Sequence, residues 1–94
     1  MTLYGTKTYK AAVGEHEVAF EFDRTGVIVN RGRLYVDGAE LDKRAVHYGE
    51  STLTGKLPDG RSFKVEFGSG FVGQLKFVEL VLDDERIPLE EVAH

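Results

Sequence analysis

The stretch Arg61-Ser62-Phe63-Lys64-Val65-Glu66-Phe67 decides the fold. In an extended chain Phe63, Val65 and Phe67 fall on one side, and Ser62, Lys64 and Glu66 on the other. That period of two marks a strand with one buried face and one solvated face. Immediately upstream stands Leu57-Pro58-Asp59-Gly60. Asp-Gly suits two consecutive residues at positive φ, so it predicts a type I′ hairpin turn. Before the turn, Thr52–Leu57 places Leu53, Gly55 and Leu57 on one face. The local unit is a half-buried antiparallel hairpin.

The same grammar runs outward in both directions. In His16–Phe22, Val18, Phe20 and Phe22 point one way, and Glu17, Ala19 and Glu21 the other. Asp37-Gly38 separates Leu34-Tyr35-Val36 from Ala39-Glu40-Leu41, and Asp83-Asp84 separates Leu80-Val81-Leu82 from Arg86-Ile87. Gly14-Glu15, Arg24-Thr25-Gly26 and Gly68-Ser69-Gly70 are further breaks. Strands are expected near residues 3–13, 16–22, 27–31, 33–37, 40–46, 50–57, 61–67, 71–82 and 86–92. Gly73 is a candidate bulge, and Ala39–His47 is the best helical alternative, with Leu41 and Ala45 on one face.

An internal echo accompanies the pattern. Leu34–Leu41 resembles Leu80–Ile87 at an offset of 46, and Phe20-Glu21-Phe22 resembles Val65-Glu66-Phe67 at an offset of 45. Both halves read strand, glycine break, strand, acidic turn, strand. Two small sheets packed face to face satisfy such a pattern.

Composition agrees. Val, Ile, Thr, Phe and Tyr supply 29 of the 94 residues, and these side chains pack well on pleated surfaces. There are 11 glycines and 2 prolines, as many tight turns need. The fold expected is all-β: one antiparallel β-sandwich, or flattened barrel, of roughly seven to nine short strands over 1–94, with 89–94 as a C-terminal tail.

The pieces Gly14-Glu15-His16-Glu17-Val18-Ala19-Phe20-Glu21-Phe22, Leu34-Tyr35-Val36-Asp37-Gly38-Ala39-Glu40 and Leu80-Val81-Leu82-Asp83-Asp84-Glu85-Arg86-Ile87-Pro88 together resemble the Fas apoptotic inhibitory molecule family. The resemblance implies a compact antiparallel β-sandwich with no catalytic centre. It also implies binding of other proteins, including protection of unfolded or aggregating chains. The eukaryotic members carry two such domains; this chain has the length of one, and contains no Trp and no Cys. The apoptotic role is not carried over, and no functional residue of the family maps onto a position here.

Charge and residue inventory narrow the function. Twelve basic against sixteen acidic side chains leave a net charge of −4, which disfavours nucleic acid and anionic membranes as partners. Without cysteine there are no disulfides, thiolate metal sites or thiol nucleophiles. No run approaches the roughly 20 apolar residues of a membrane span, and Met1-Thr2-Leu3-Tyr4-Gly5 lacks the basic and apolar regions of a secretory signal. A cytoplasmic location is expected.

Chemistry-bearing motifs are sparse. Gly68-Ser69-Gly70-Phe71-Val72-Gly73 satisfies G-x-G-x-x-G, but Gln74–Leu82 reads as a strand where a dinucleotide site needs a helix N-terminus. His16, His47 and His94 have no spacing that makes a local metal pair. Ser51, Ser62 and Ser69 stand outside any nucleophile-elbow context. Asp83-Asp84-Glu85 and Glu90-Glu91 lack the alternating oxygens of a calcium loop. No cofactor and no metal are expected.

The remaining candidates are recognition residues. Tyr35 falls on the side of its strand opposite Leu34 and Val36, and an outward Tyr gives binding area at low entropy cost. His47 beside Tyr48 forms a candidate recognition pair, and Phe71 joins them from the glycine-rich loop. For the tyrosines the competing expectation is a ring in the core with its hydroxyl at the rim. The function expected is a non-enzymatic module for a protein partner or for self-association. The alternative is a small-ligand binder, for a lipid or sugar, using a barrel mouth.

Overall fold

The computed structural model describes residues 5–24, 30–46, 49–70 and 75–92. It is all-β, with strands β1 (Gly5–Val13), β2 (His16–Arg24), β3 (Asn30–Val36), β4 (Ala39–Val46), β5 (Gly49–Lys56), β6 (Ser62–Ser69), β7 (Leu75–Leu82), β8 (Glu85–Pro88) and β9 (Glu90–Val92). They form two antiparallel sheets. The first has the order β4-β3-β2-β1-β9 and the second β5-β6-β7-β8.

Each sheet is built on a four-strand meander, and the internal echo maps onto these meanders. Phe20-Glu21-Phe22 lies in β2 and Val65-Glu66-Phe67 in β6, each the second strand of its meander. The turn between β3 and β4 is Asp37-Gly38, with φ of 49° and 87°; the turn between β7 and β8 is Asp83-Asp84, with φ of 52° and 65°. Two consecutive positive-φ residues match the right-handed twist of the flanking strands. Asp tolerates this region because its short polar side chain satisfies nearby backbone.

The Asp59-Gly60 turn differs from the expectation. Gly60 has φ of 94°, whereas Asp59 does not enter the left-handed region. The reason lies one residue earlier. Proline fixes φ near about −65°, which suits the first central position of a type I turn. The Gly60 N–H donates to the Leu57 carbonyl at 2.9 Å, and the Leu57 N–H to the Arg61 carbonyl at 2.8 Å. Asp59 Oδ1 accepts the Arg61 N–H at 3.0 Å. Pro58-Asp59-Gly60 is therefore a three-residue loop ending in a left-handed glycine, not a two-residue I′ turn.

β4 (Ala39–Val46) is the strand expected over 40–46 and not the helical alternative. A further difference concerns strand extents. The expected strand 86–92 is two strands: β8 pairs with β7 in one sheet, and β9 pairs with β1 in the other through Thr8↔Val92, Tyr9↔Glu91 and Lys10↔Glu90. The chain changes sheets at Leu89, whose side chain is buried in the core. Pro88 ends β8 and carries no N–H to donate. Residues 90–92, expected within a tail, thus form an edge strand of the first sheet. The candidate bulge Gly73 lies outside the described residues; the register irregularity of this region falls between Gly68 and Ser69.

The core forms where the inward faces meet. Val18, Phe20, Phe22, Leu34, Leu53, Val65, Phe67 and Leu80 are fully enclosed. Phe20 from the first sheet and Phe67 from the second touch with ring centroids 4.7 Å apart. Gly32 makes room for them: a Cβ there would stand 3.0 Å from Phe67 Cζ and 3.1 Å from Phe20 Cε1. The interior between the sheets at this level is filled by rings, so the surfaces that remain are the two outer faces and the edges.

Candidate functional site

The outer face of the five-stranded sheet is assembled by register. Inward Tyr9, Ala11 and Val13 leave Thr8, Lys10 and Ala12 outward on β1. Inward Val18, Phe20 and Phe22 leave Glu17, Ala19, Glu21 and Asp23 outward on β2. On β3, inward Leu34 and Val36 leave Arg31, Arg33 and Tyr35 outward. Near the centre of the face Ala19 stands between Lys10 and Tyr35, its cross-strand partners.

Small side chains with taller neighbours make a depression. Thr8 and Ala19 point outward, yet each is only 9% exposed. They contribute to a hollow of about 400 Å³ whose walls include Lys10, Glu17, Glu21, Tyr35 and Val92. Its polar rim is held in place. Tyr35 Oη donates to Glu21 Oε1 at 3.2 Å. Arg33 reaches Glu21 at 3.6 Å and Asp23 at 3.5 Å. Lys10 Nζ is 3.3 Å from Glu17 Oε1. Partial burial, then the neighbouring Glu21 carboxylate, raise the Tyr35 pKa. Tyr35 is therefore a neutral donor at physiological pH.

One end of this face is closed by a clasp. Asp37 Oδ1 accepts the Glu17 N–H at 2.9 Å, and Asp37 Oδ2 lies 2.9 Å from His16 Nδ1. The Asp37 N–H donates to the Glu17 carbonyl at 2.8 Å. The backbone bond from Glu17, followed by the bond from His16, holds the Asp37 carboxyl below the usual aspartate range. The clasp ties the β3–β4 turn to the start of β2.

The second sheet offers a larger hollow of about 520 Å³ at its turn end, between Thr54, Lys64, Val81 and the Asp83-Asp84 turn. Beside it Glu66 is bound by Arg86 at 2.8 Å and by Lys64 at 3.4 Å, with Arg86 also 3.5 Å from Glu79. The Arg86 bond is the leading cause of a lowered Glu66 pKa. Glu66 echoes Glu21: in both meanders the outward Glu of the second strand is neutralised by a neighbouring cation. On the first sheet a phenol joins that contact, and on the second it does not.

Of the four recognition residues expected from sequence, Tyr35 is outward and half-buried, as its strand position requires. His47, Tyr48 and Phe71 lie outside the described residues. Tyr9 takes the other disposition. Its ring packs 6.4 Å from Phe20, and burial followed by Glu91 raises its pKa. Thr8, Lys10 and Ala19 line the depression but are not among the candidates read from the sequence. Alternation places them outward, but the depression exists only once β1, β2 and β9 stand side by side.

Among the described residues no three His, Asp or Glu side chains are grouped to hold a metal, and no helix is long and apolar enough to cross a membrane. No family model, no curated protein and no solved structure matches the chain.

Proposed function

We propose that this chain is a non-enzymatic binding module that docks a protein partner on the outer face of its five-stranded sheet. The observation that carries the reading is the Ala19 hollow with Tyr35 beside it. The phenol is partly buried, held by Glu21 and aimed by a rigid strand. A pre-oriented aromatic next to a depression is how interfaces gain area without a large entropy cost. The surrounding ion pairs give the face polar directionality, which sets register and partner choice more than raw affinity. The resemblance to the Fas apoptotic inhibitory molecule family implies the same class of role.

The face is polar. Among the described residues the one large hydrophobic side chain exposed on the molecule is Leu41, at 43%. General capture of unfolded chains relies on broad apolar patches, so a specific docking partner fits this surface better. The small-ligand alternative would use this depression or the larger hollow at the turn end of the second sheet, since aromatic side chains fill the interior between the sheets.

The test is selection of a displayed random-peptide library against the purified protein. Enriched peptides are expected to bind the parent chain and Val81→Arg, a variant of the other outer face, with similar affinity. Their binding should fall at least about tenfold to Ala19→Arg, which fills the depression. Absence of enrichment, or undiminished binding to Ala19→Arg, overturns the reading.

A further inference from the structure

Register brings Arg31 to one corner of the first sheet beside the sequence neighbours Lys43 and Arg44. Across β3 and β4, Arg31 pairs with Ala45, Gly32 with Arg44 and Arg33 with Lys43. Arg31, Lys43 and Arg44 line, with Ala45, a hollow of about 300 Å³. Arg33 is engaged by Glu21 and Asp23. Arg31, Lys43 and Arg44 have no ion-pair partner among the described residues; Lys7, Lys56 and Lys76 also have none, but they stand outside this hollow.

The three cations stand on both sides of the strand. Arg31 and Lys43 share the outer side with Arg33. Arg44 shares the side of Gly32, which looks inward at Phe20 and Phe67. β4 is the edge of its sheet. Its first half leans on β5, where the Thr54 N–H donates to Asp42 Oδ2 at 3.3 Å and Leu41 lies against Gly55. Its second half, Lys43, Arg44 and Ala45, is exposed. A compact oxyanion would occupy the hollow lined by all three cations but leave the exposed end of the β4 edge unpaired. An extended chain turns successive side chains to opposite sides, and so reaches Arg31 and Lys43 on one side and Arg44 on the other.

We propose that an acidic, extended segment of a protein partner adds to the Lys43–Ala45 end of the β4 edge, its alternate carboxylates held by Arg31 with Lys43 and by Arg44. This is strand addition steered by charge. It rests on the reading of this sheet as a protein-docking face and names the partner's chemistry. A nucleic acid fits less well, because it needs an extended basic field and the chain as a whole carries a charge of −4.

The experiment uses fluorescein-labelled decaglutamate, with decalysine and inorganic phosphate as comparisons. Decaglutamate is expected to bind in low salt, to weaken as salt rises, and to shift the backbone amides of Lys43, Arg44 and Ala45. Decalysine should not bind at this edge. The exposed substitutions Arg31→Gln, Lys43→Gln and Arg44→Gln together should weaken decaglutamate at least about tenfold with unchanged thermal unfolding. Ala19→Arg should leave it within about twofold, because additivity holds for separate sites. No binding of decaglutamate, equal binding by the triple variant, or displacement by phosphate at matched ionic strength overturns the proposal. Library-selected peptides that lose binding to Ala19→Arg but bind the triple variant normally would overturn this proposal while leaving the docking face in place.

Discussion

Phe20 on β2 and Phe67 on β6 meet with ring centroids 4.7 Å apart and planes tilted by 44°, joining the two sheets through a contact between residues 47 positions apart. Phe22 stands 6.3 Å from Phe20 and 6.2 Å from Phe67. The chain has no disulfide, so inter-sheet packing of this kind holds the sandwich closed. Phe67→Leu leaves a void that neighbouring rings fill only in part. It is expected to cost about 1–2 kcal/mol in urea unfolding, less than truncation of a buried Phe to Ala.

Gly32 supplies the converse. Gly32→Ala would set a methyl 3.0 Å from Phe67 Cζ and 3.1 Å from Phe20 Cε1. Overpacking of this kind costs about 1–3 kcal/mol. In a Phe67→Leu background the same substitution should cost less, because the offending ring edge is gone. Equal costs in the two backgrounds would show that the two sites do not communicate.

The clasp predicts a pH dependence with a definite sign. The Asp37 carboxyl is depressed in the folded chain by the Glu17 N–H and by His16. A depressed carboxyl contributes stability that is present above the unfolded pKa and is lost as pH falls through the folded one. Asp37→Asn keeps a side chain that tolerates positive φ and removes the charge. Its melting temperature should lie below that of the parent at neutral pH, and the gap should close as the solution is acidified below about pH 4. A gap independent of pH would contradict the account.

The Asp83-Asp84 turn holds two non-glycine residues at positive φ, where the equivalent turn ends in Gly38. A non-glycine residue in this region carries about 1 kcal/mol or more of strain. Asp84→Gly removes that strain and gives back part of it as unfolded-chain entropy. A net gain of up to about 1 kcal/mol in chemical denaturation is expected.

Much of the fold was legible because burial is one-sided. The alternation of His16–Phe22 and Arg61–Phe67 marks β2 and β6, and puts Tyr35 outward from its position between Leu34 and Val36. The 46-residue echo appears as two meanders. Long-range pairing was not legible. Nothing local in Glu90-Glu91-Val92 distinguishes a tail from an edge strand; the difference is made by β1, some 80 residues away. The Asp59-Gly60 turn was misread because Pro58, one residue upstream, dictates its geometry. The site was hidden for the same reason as β9. Thr8 and Ala19 become a floor, and Arg31, Lys43 and Arg44 a corner, only through register between strands.

As proposed above, the outer face of the five-stranded sheet, and not that of the four-stranded one, docks a protein partner. Backbone amide chemical-shift mapping with the tightest library-selected peptide tests it most directly. Shifts are expected to cluster at Thr8, Lys10, Ala19, Glu21 and Tyr35, with Lys64, Glu66, Glu79 and Val81 unmoved. Shifts confined to Lys64, Glu66, Glu79 and Val81, or spread evenly over both faces, would contradict it.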